Sequence, residues 1–154
     1  MDTTKAENKE PVTEPIKGDV PPHTESTHQL VGFRKTACFG KCPVYEVKFW
    51  SDNTATYVGK MHVERKGEYK AQLDRSTLKA IKDKAHEVGY FDFHNEYPVE
   101  HKVADLPSTY TYIRIGDMEK TIKNTHDGPK KLEEFQNYLS DIIGNLDWKP
   151  TAQD

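Results

Sequence analysis

The sequence predicts an α+β fold: an antiparallel sheet of about five to six strands, in the order strands, helix, hairpin, helix, with two helices packed on one face. Three observations carry this expectation. Tyr45, Val47 and Phe49 alternate with Glu46 and Lys48, the period-2 mark of a half-buried strand. Leu78, Ile81, Ala85 and Val88 fall at helical spacing, and Leu132, Phe135, Leu139, Ile142 and Ile143 draw a second apolar stripe of the same kind. Strand patterns that follow one another directly, separated by short turn signals, favour antiparallel pairing over parallel crossovers.

Taken in order, Leu30, Val31 and Phe33 suggest a first strand that leads into the two cysteines. After the strand around Tyr45–Phe49, Ser51-Asp52-Asn53 supplies a turn and Thr54 to Gly59 a returning strand. Gly67 opens a further alternating run in which Tyr69, Ala71 and Leu73 face one way. Asp74 or Ser76 can cap the first helix, and Gly89 offers its left-handed stop. Tyr90, Phe91 and Phe93 are expected to fold back onto the core. A polar loop covers residues 94–108. Thr109 to Ile115, the Gly116-Asp117 turn and Met118 to Lys123 form a hairpin. Asp127 or Gly128 caps the last helix, Pro129 suits its first turn, Gly144 ends it, and Trp148 closes over the core.

Composition divides the 154 residues unevenly. Residues 1–28 carry six acids against three lysines, four of the nine prolines and no aromatic side chain. Such a stretch cannot repay the entropy of ordering and reads as a disordered acidic tether. Residues 29–148 read as a single domain and residues 149–154 as a flexible C-terminal tail. Beyond the tether, 19 basic and 19 acidic residues balance, so the domain has no broad field to attract nucleic acid or an anionic membrane. No run of apolar residues is long enough for a membrane-spanning helix. A flexible acidic lead before a compact domain suits an exported protein of the periplasm or cell envelope whose signal has been removed, and is compatible with a lipid anchor on the precursor. A cytoplasmic location is the alternative.

The least ordinary local feature is Cys38-Phe39-Gly40-Lys41-Cys42-Pro43, which holds the only two cysteines. Three readings stand side by side. A structural disulfide closing this short loop stabilises by about 2–3 kcal/mol in the chain-entropy model. A redox or metal site would use the same pair as thiolates, which select Cu(I). The C-x-x-x-C-P spacing is similar to that of the Sco copper chaperones, which implies two sulfur ligands and a distant histidine. Here, though, the motif runs straight into a strand instead of a helix. The third reading is a pair of free thiols, with Lys35 and Lys41 close in sequence.

Asp92, His94, Asn95, Glu96, Glu100, His101 and Asp105 gather metal-capable side chains in one loop, and His94, His101 and Asp105 are the candidate ligands. A solvated polar loop has the same composition. Tyr45, Tyr57, Tyr110 and Tyr112 lie on predicted strands, as does Tyr69. They either cover a sheet face with their hydroxyls at the rim or form a binding platform on an uncovered face. No nucleophile elbow, phosphate-binding glycine loop or zinc-protease motif occurs, so no catalytic residue is assigned and no cofactor is implied.

The run Thr36-Ala37-Cys38-Phe39-Gly40-Lys41-Cys42-Pro43-Val44-Tyr45 resembles the T-x-C-F-G-x-C-P-x-Y opening of a bacterial family of uncharacterised domains. The likeness continues through Asp52, Tyr57, Gly59, Gly67, the helix near Leu78, Phe91 to Phe93, Asp105-x-Pro107, and Pro129, Leu132 and Phe135. Where this chain has Asp52-Asn53, the family usually has Asp-Gly. The resemblance implies an exported or lipid-anchored domain and assigns no activity.

The functional expectation is therefore a non-enzymatic envelope or surface module, stapled by Cys38–Cys42, that binds a protein or glycan partner through an open sheet face. The alternative is a thiol-based copper or redox protein built on Cys38 and Cys42, with His94 or His101 as a further ligand.

Overall fold

A computed structural model describes residues 26–101 and 106–151. The strands are β1 (Gln29–Lys35), β2 (Val44–Trp50), β3 (Thr54–Met61) and β4 (Gly67–Gln72), followed by helix α1 (Arg75–Val88) and a 3-10 turn at Tyr90–Asp92. Then come β5 (Glu96–Tyr97), β6 (Thr109–Ile115), β7 (Met118–Asn124), helix α2 (Lys130–Asn145) and β8 (Lys149–Pro150). The eight strands of the described residues join one sheet in the order β5-β7-β6-β1-β2-β3-β4-β8. The fold is α+β.

The sheet is wider than the sequence predicts, and it is mixed. The six long strands pair antiparallel as the alternation requires. The extra two are two-residue strands, one on each edge: β5 runs parallel to β7, and β8 runs antiparallel to β4. Two residues have no period to read, so tertiary anchors decide their pairing. Beside β5 the anchor is buried Tyr97, whose hydroxyl accepts from the His94 N–H at 2.9 Å. For β8 it is Trp148, whose ring lies 5.4 Å from that of Tyr57 and carries Lys149 and Pro150 onto β4. Residues 149 and 150 thus belong to the sheet, whereas the sequence reading places them in a frayed tail. Short edge strands of this kind blunt the open rows of backbone donors and acceptors that promote aggregation.

Odd-numbered residues of β1 to β4, β6 and even-numbered residues of β7 face the helices. Val31, Phe33, Val47, Phe49, Ala55, Tyr57, Ala71, Ile113 and Ile122 are buried there. Leu78, Ile81, Ala85 and Val88 of α1 and Leu132, Phe135, Leu139 and Ile143 of α2 meet them, as the helical spacing predicts. Tyr90 is the largest fully buried side chain among the described residues. Its hydroxyl shares a 2.9 Å hydrogen bond with Thr111 and donates to the Lys120 carbonyl at 3.3 Å. Burial holds this phenol far above its ordinary pKa. Lys120, facing inward from β7, reaches over the core and donates to the carbonyls of Phe91 and Phe93, which pins the 3-10 turn to the sheet.

The helix ends refine the expected caps. Asp74 is the N-cap of α1 by backbone, without a side-chain hydrogen bond, and Gly89 closes the helix in the left-handed region at φ 74°. The N-cap of α2 is Pro129 itself. Gly144 lies inside α2 and does not end it, because the stop comes from Trp148. The indole N–H donates to the Ile143 carbonyl at 2.9 Å, satisfying one of the terminal carbonyls.

Candidate functional site: the open sheet face

Both helices lie on one side, so among the described residues no element packs on the opposite face of the sheet. Strand register writes that face as two cross-strand rows. The first reads Lys123, Tyr110, Arg34, Glu46, Val58, Glu68. The second reads Thr121, Tyr112, Gly32, Lys48, Thr56, Lys70. Among the described residues no helix covers these side chains, and they shield one another only partly.

Local chemistry organises the β7-β6-β1 end of the rows. The Arg34 guanidinium carbon sits 3.9 Å from the centre of the Tyr110 ring, and the Lys123 ammonium approaches the same ring at 5.9 Å. Directly opposed cross-strand neighbours make this cluster possible, since their Cβ atoms are only about 5 Å apart. Beside it, Gly32 contributes no side chain and leaves a recess of about 260 Å³ between Arg34, Lys48, Tyr110 and Tyr112. The Gln29 amide borders the notch: a Cβ on Gly32 would meet Gln29 Nε2 at 2.6 Å. On β2, the Trp50 indole N–H donates to Thr56 Oγ1 at 3.1 Å.

Tyr112 donates a 2.6 Å hydrogen bond to Glu119 Oε1. Its phenol is pushed up to about 12, first by desolvation and then by the hydrogen bond and charge of Glu119. The folded protein therefore favours the neutral phenol more than the unfolded chain does. That contribution is complete below the ordinary value of 10.0 and is lost as pH rises from there through about 12. In an alkaline ultraviolet titration, Glu119→Gln is expected to move one tyrosine only part of the way back, because desolvation is the larger cause. An unchanged titration curve would contradict the Tyr112–Glu119 contact.

The four tyrosines of the sequence reading separate by parity. Tyr110 and Tyr112 stand on the open face. Tyr45 and Tyr57 stand on the covered face, in a ladder whose successive ring centres are 6.1 Å (Phe33–Tyr45), 5.6 Å (Tyr45–Tyr57) and 5.8 Å (Tyr57–Tyr69) apart. Desolvation raises the pKa of both Tyr45 and Tyr57. The cationic neighbours Arg34 and Lys123 and the gap at Gly32 belong to the open face and escape a reading of single residues. Even numbering on β1 and β6 was the available signal, but it required knowing that both helices cover the odd face.

Cys38 and Cys42 form a disulfide, with Cα atoms 5.7 Å apart, at the tip of the β1–β2 connection. No free cysteine remains, so a thiolate site would first require reduction. The Gly40 N–H donates to the Cys38 sulfur at 3.3 Å. Replacing both cysteines by serine is expected to lower unfolding free energy by about 2–3 kcal/mol, the loop-entropy contribution of so short a closure. Chemical denaturation of the variant against the oxidised protein checks this. An unchanged midpoint would mean the unfolded chain is already as constrained without the bond.

His94 packs edge-on against Tyr97 at 5.7 Å, while His101 is exposed and adopts a positive φ of 58°. Glu96 lies 3.9 Å from Lys123. Asp105 is outside the described residues. Among the described residues, no three His, Cys, Asp or Glu side chains gather as a metal-holding group.

Fold and site together define an α+β module with one helix-covered sheet face, one open face of tyrosines and cations, and a disulfide-closed loop at the strand ends. The model of the family described as "Domain of unknown function (DUF6438)" matches residues 29–143, and the chain belongs to that family. No curated protein matches it. Among the described residues, no helix is long and apolar enough to cross a membrane.

Proposed function

We propose that this chain is a non-enzymatic, exported binding module that receives a protein or glycan partner on the open face of its sheet. The observation that carries the reading is the Tyr110 ring flanked by Arg34 and Lys123 beside the recess at Gly32. Aromatic rings and arginine are the side chains on which binding faces concentrate their energy, and sugar rings and peptide groups both stack on such surfaces. The ordered groups here hold one another in place: Arg34 on Tyr110, and Tyr112 on Glu119. That pre-organisation lowers the entropy cost of taking up a ligand. The Cys38–Cys42 disulfide suits an oxidising compartment outside the cytoplasm.

The test is an NMR titration of the full chain with a defined panel of neutral oligosaccharides, uronate-containing oligosaccharides and short acidic peptides. Binding is expected to shift the amide signals of Gly32, Arg34, Lys48, Tyr110 and Tyr112 first. Arg34→Ala combined with Tyr110→Ala should weaken any such binding at least tenfold, a loss of about 1.4 kcal/mol or more. Shifts confined to the helical side, or binding indifferent to the double substitution, would sink the proposal.

A further inference from the structure

We infer that the surface formed by the Cys38–Cys42 loop and the β3–β4 connection docks on an anionic lipid bilayer, with Phe39 as the side chain that enters the interface. This does not rest on the open-face reading, because it uses the strand ends and not the face.

Phe39 is 88% exposed, the most exposed of the large apolar side chains among the described residues. It sits inside a loop closed at both ends by the disulfide, so its outward position is held by covalent structure. The neighbouring connection brings a second apolar group: Met61, 44% exposed, pairs with Val44 immediately after the cysteine loop. Lys60 lines the same recess of about 170 Å³ as Thr36 and Ala37, so the two connections are spatial neighbours.

Charge is concentrated in the same place. Residues 35–43 and 60–66 together contain Lys35, Lys41, Lys60, Arg65 and Lys66 against one acid, Glu64. Among the described residues, no ion pair engages Lys41, Lys60 or Lys66. At the other end of the strands the turns carry Asp52, Asp74 and Asp117. The overall neutrality of the domain therefore conceals a local basic cluster around an apolar tip.

Charge complementarity and shape both favour a bilayer. Four of the five cations are lysines, hydrated point charges suited to diffuse attraction more than to the bidentate recognition of a particular carboxylate. A projecting loop with Phe at its tip presents a convex surface. A bilayer interface accepts such a wedge without a matching pocket, and nearby basic residues add electrostatic attraction to anionic headgroups.

The experiment is vesicle co-flotation of the full, oxidised chain. One set of vesicles is phosphatidylcholine alone and the other contains about one-third phosphatidylglycerol. The protein is expected to float with the anionic vesicles at low salt, to be released at high salt, and to ignore the neutral ones. Phe39→Ala should weaken partitioning about tenfold, and Lys41→Glu with Lys60→Glu by more than tenfold. Both variants alter exposed side chains, so unchanged melting curves will show that the fold is intact. Absence of binding to anionic vesicles at low salt overturns the inference, as does binding that both variants retain. A synthetic peptide of residues 1–25 that shifts the Phe39 and Lys41 amide signals, while vesicles do not, also overturns it and makes the chain's own acidic segment the occupant. Loss of vesicle binding in Arg34→Ala/Tyr110→Ala but not in Phe39→Ala would assign the bilayer to the open face and likewise overturn it.

Discussion

Phe135→Ala is expected to remove about 3–5 kcal/mol of unfolding free energy, enough to threaten the fold of a domain this size. Phe135 is fully buried on the inner face of α2, and its ring centre lies 5.2 Å from that of Tyr90. The loss has two parts. Apolar surface is no longer withdrawn from water, and a cavity remains because Tyr90 cannot follow into the space. Tyr90 is tethered through its hydroxyl to Thr111 and Lys120, so collapse around the missing ring would break a buried hydrogen bond. Urea denaturation should show a lower midpoint with an unchanged slope. A loss below about 1 kcal/mol would mean that the core repacks freely and that the Tyr90 tether does not hold it open.

Gly59→Ala is expected to cost about 3 kcal/mol although it adds a single methyl group. Gly59 sits on the covered face of β3, where the following connection folds back against the strand. A Cβ there would lie 1.8 Å from the Arg65 carbonyl oxygen and 2.9 Å from both Tyr57 Cε1 and Val63 Cγ2. A backbone oxygen cannot step aside as the end of a long side chain can. The connection must lift, which disturbs the aromatic ladder below it. Gly144→Ala is the matched control. Nothing lies within 4 Å of its added Cβ, and the residue is exposed inside α2. There the same substitution should stabilise by about 0.5–1 kcal/mol, through the lower backbone entropy of alanine in the unfolded chain. Thermal melts of the two variants should move in opposite directions. A shared direction would contradict the close approach at Gly59.

The same lifting connects stability to the inferred membrane contact, because residues 60–66 carry three of its five cations. Gly59→Ala should therefore weaken vesicle binding beyond what the fraction of folded protein explains. Co-flotation at a temperature where the variant remains folded separates the two effects.

Several elements were legible in the chain because each rests on short-range periodicity. The alternation of Tyr45, Val47 and Phe49 fixes which side of β2 is buried, whatever lies above it. The stripe from Leu132 to Ile143 fixes the inner face of α2, and Gly89 marks the end of α1 by its left-handed backbone. The family resemblance was legible for a similar reason: the Thr36–Tyr45 run is contiguous. The edge strands β5 and β8 were not, since two residues carry no period. Nor was the end of α2, where Trp148 overrides the expected glycine stop by reaching back to Ile143.

By itself, then, the sequence determined the class of fold, the inner faces of the long elements, the acidic composition of the first 28 residues and the unusual cysteine motif. Those properties follow from neighbours a few positions apart. Only the tertiary structure decided how the tyrosines divide between the two faces, with Tyr110 and Tyr112 on the uncovered one and Tyr57 stacked between Tyr45 and Tyr69 on the covered one. It also set Arg34 over Tyr110 across 76 positions of chain, and brought the β3–β4 connection beside the cysteine loop. Each of these depends on strand register and on which face the helices choose, and no local pattern encodes either.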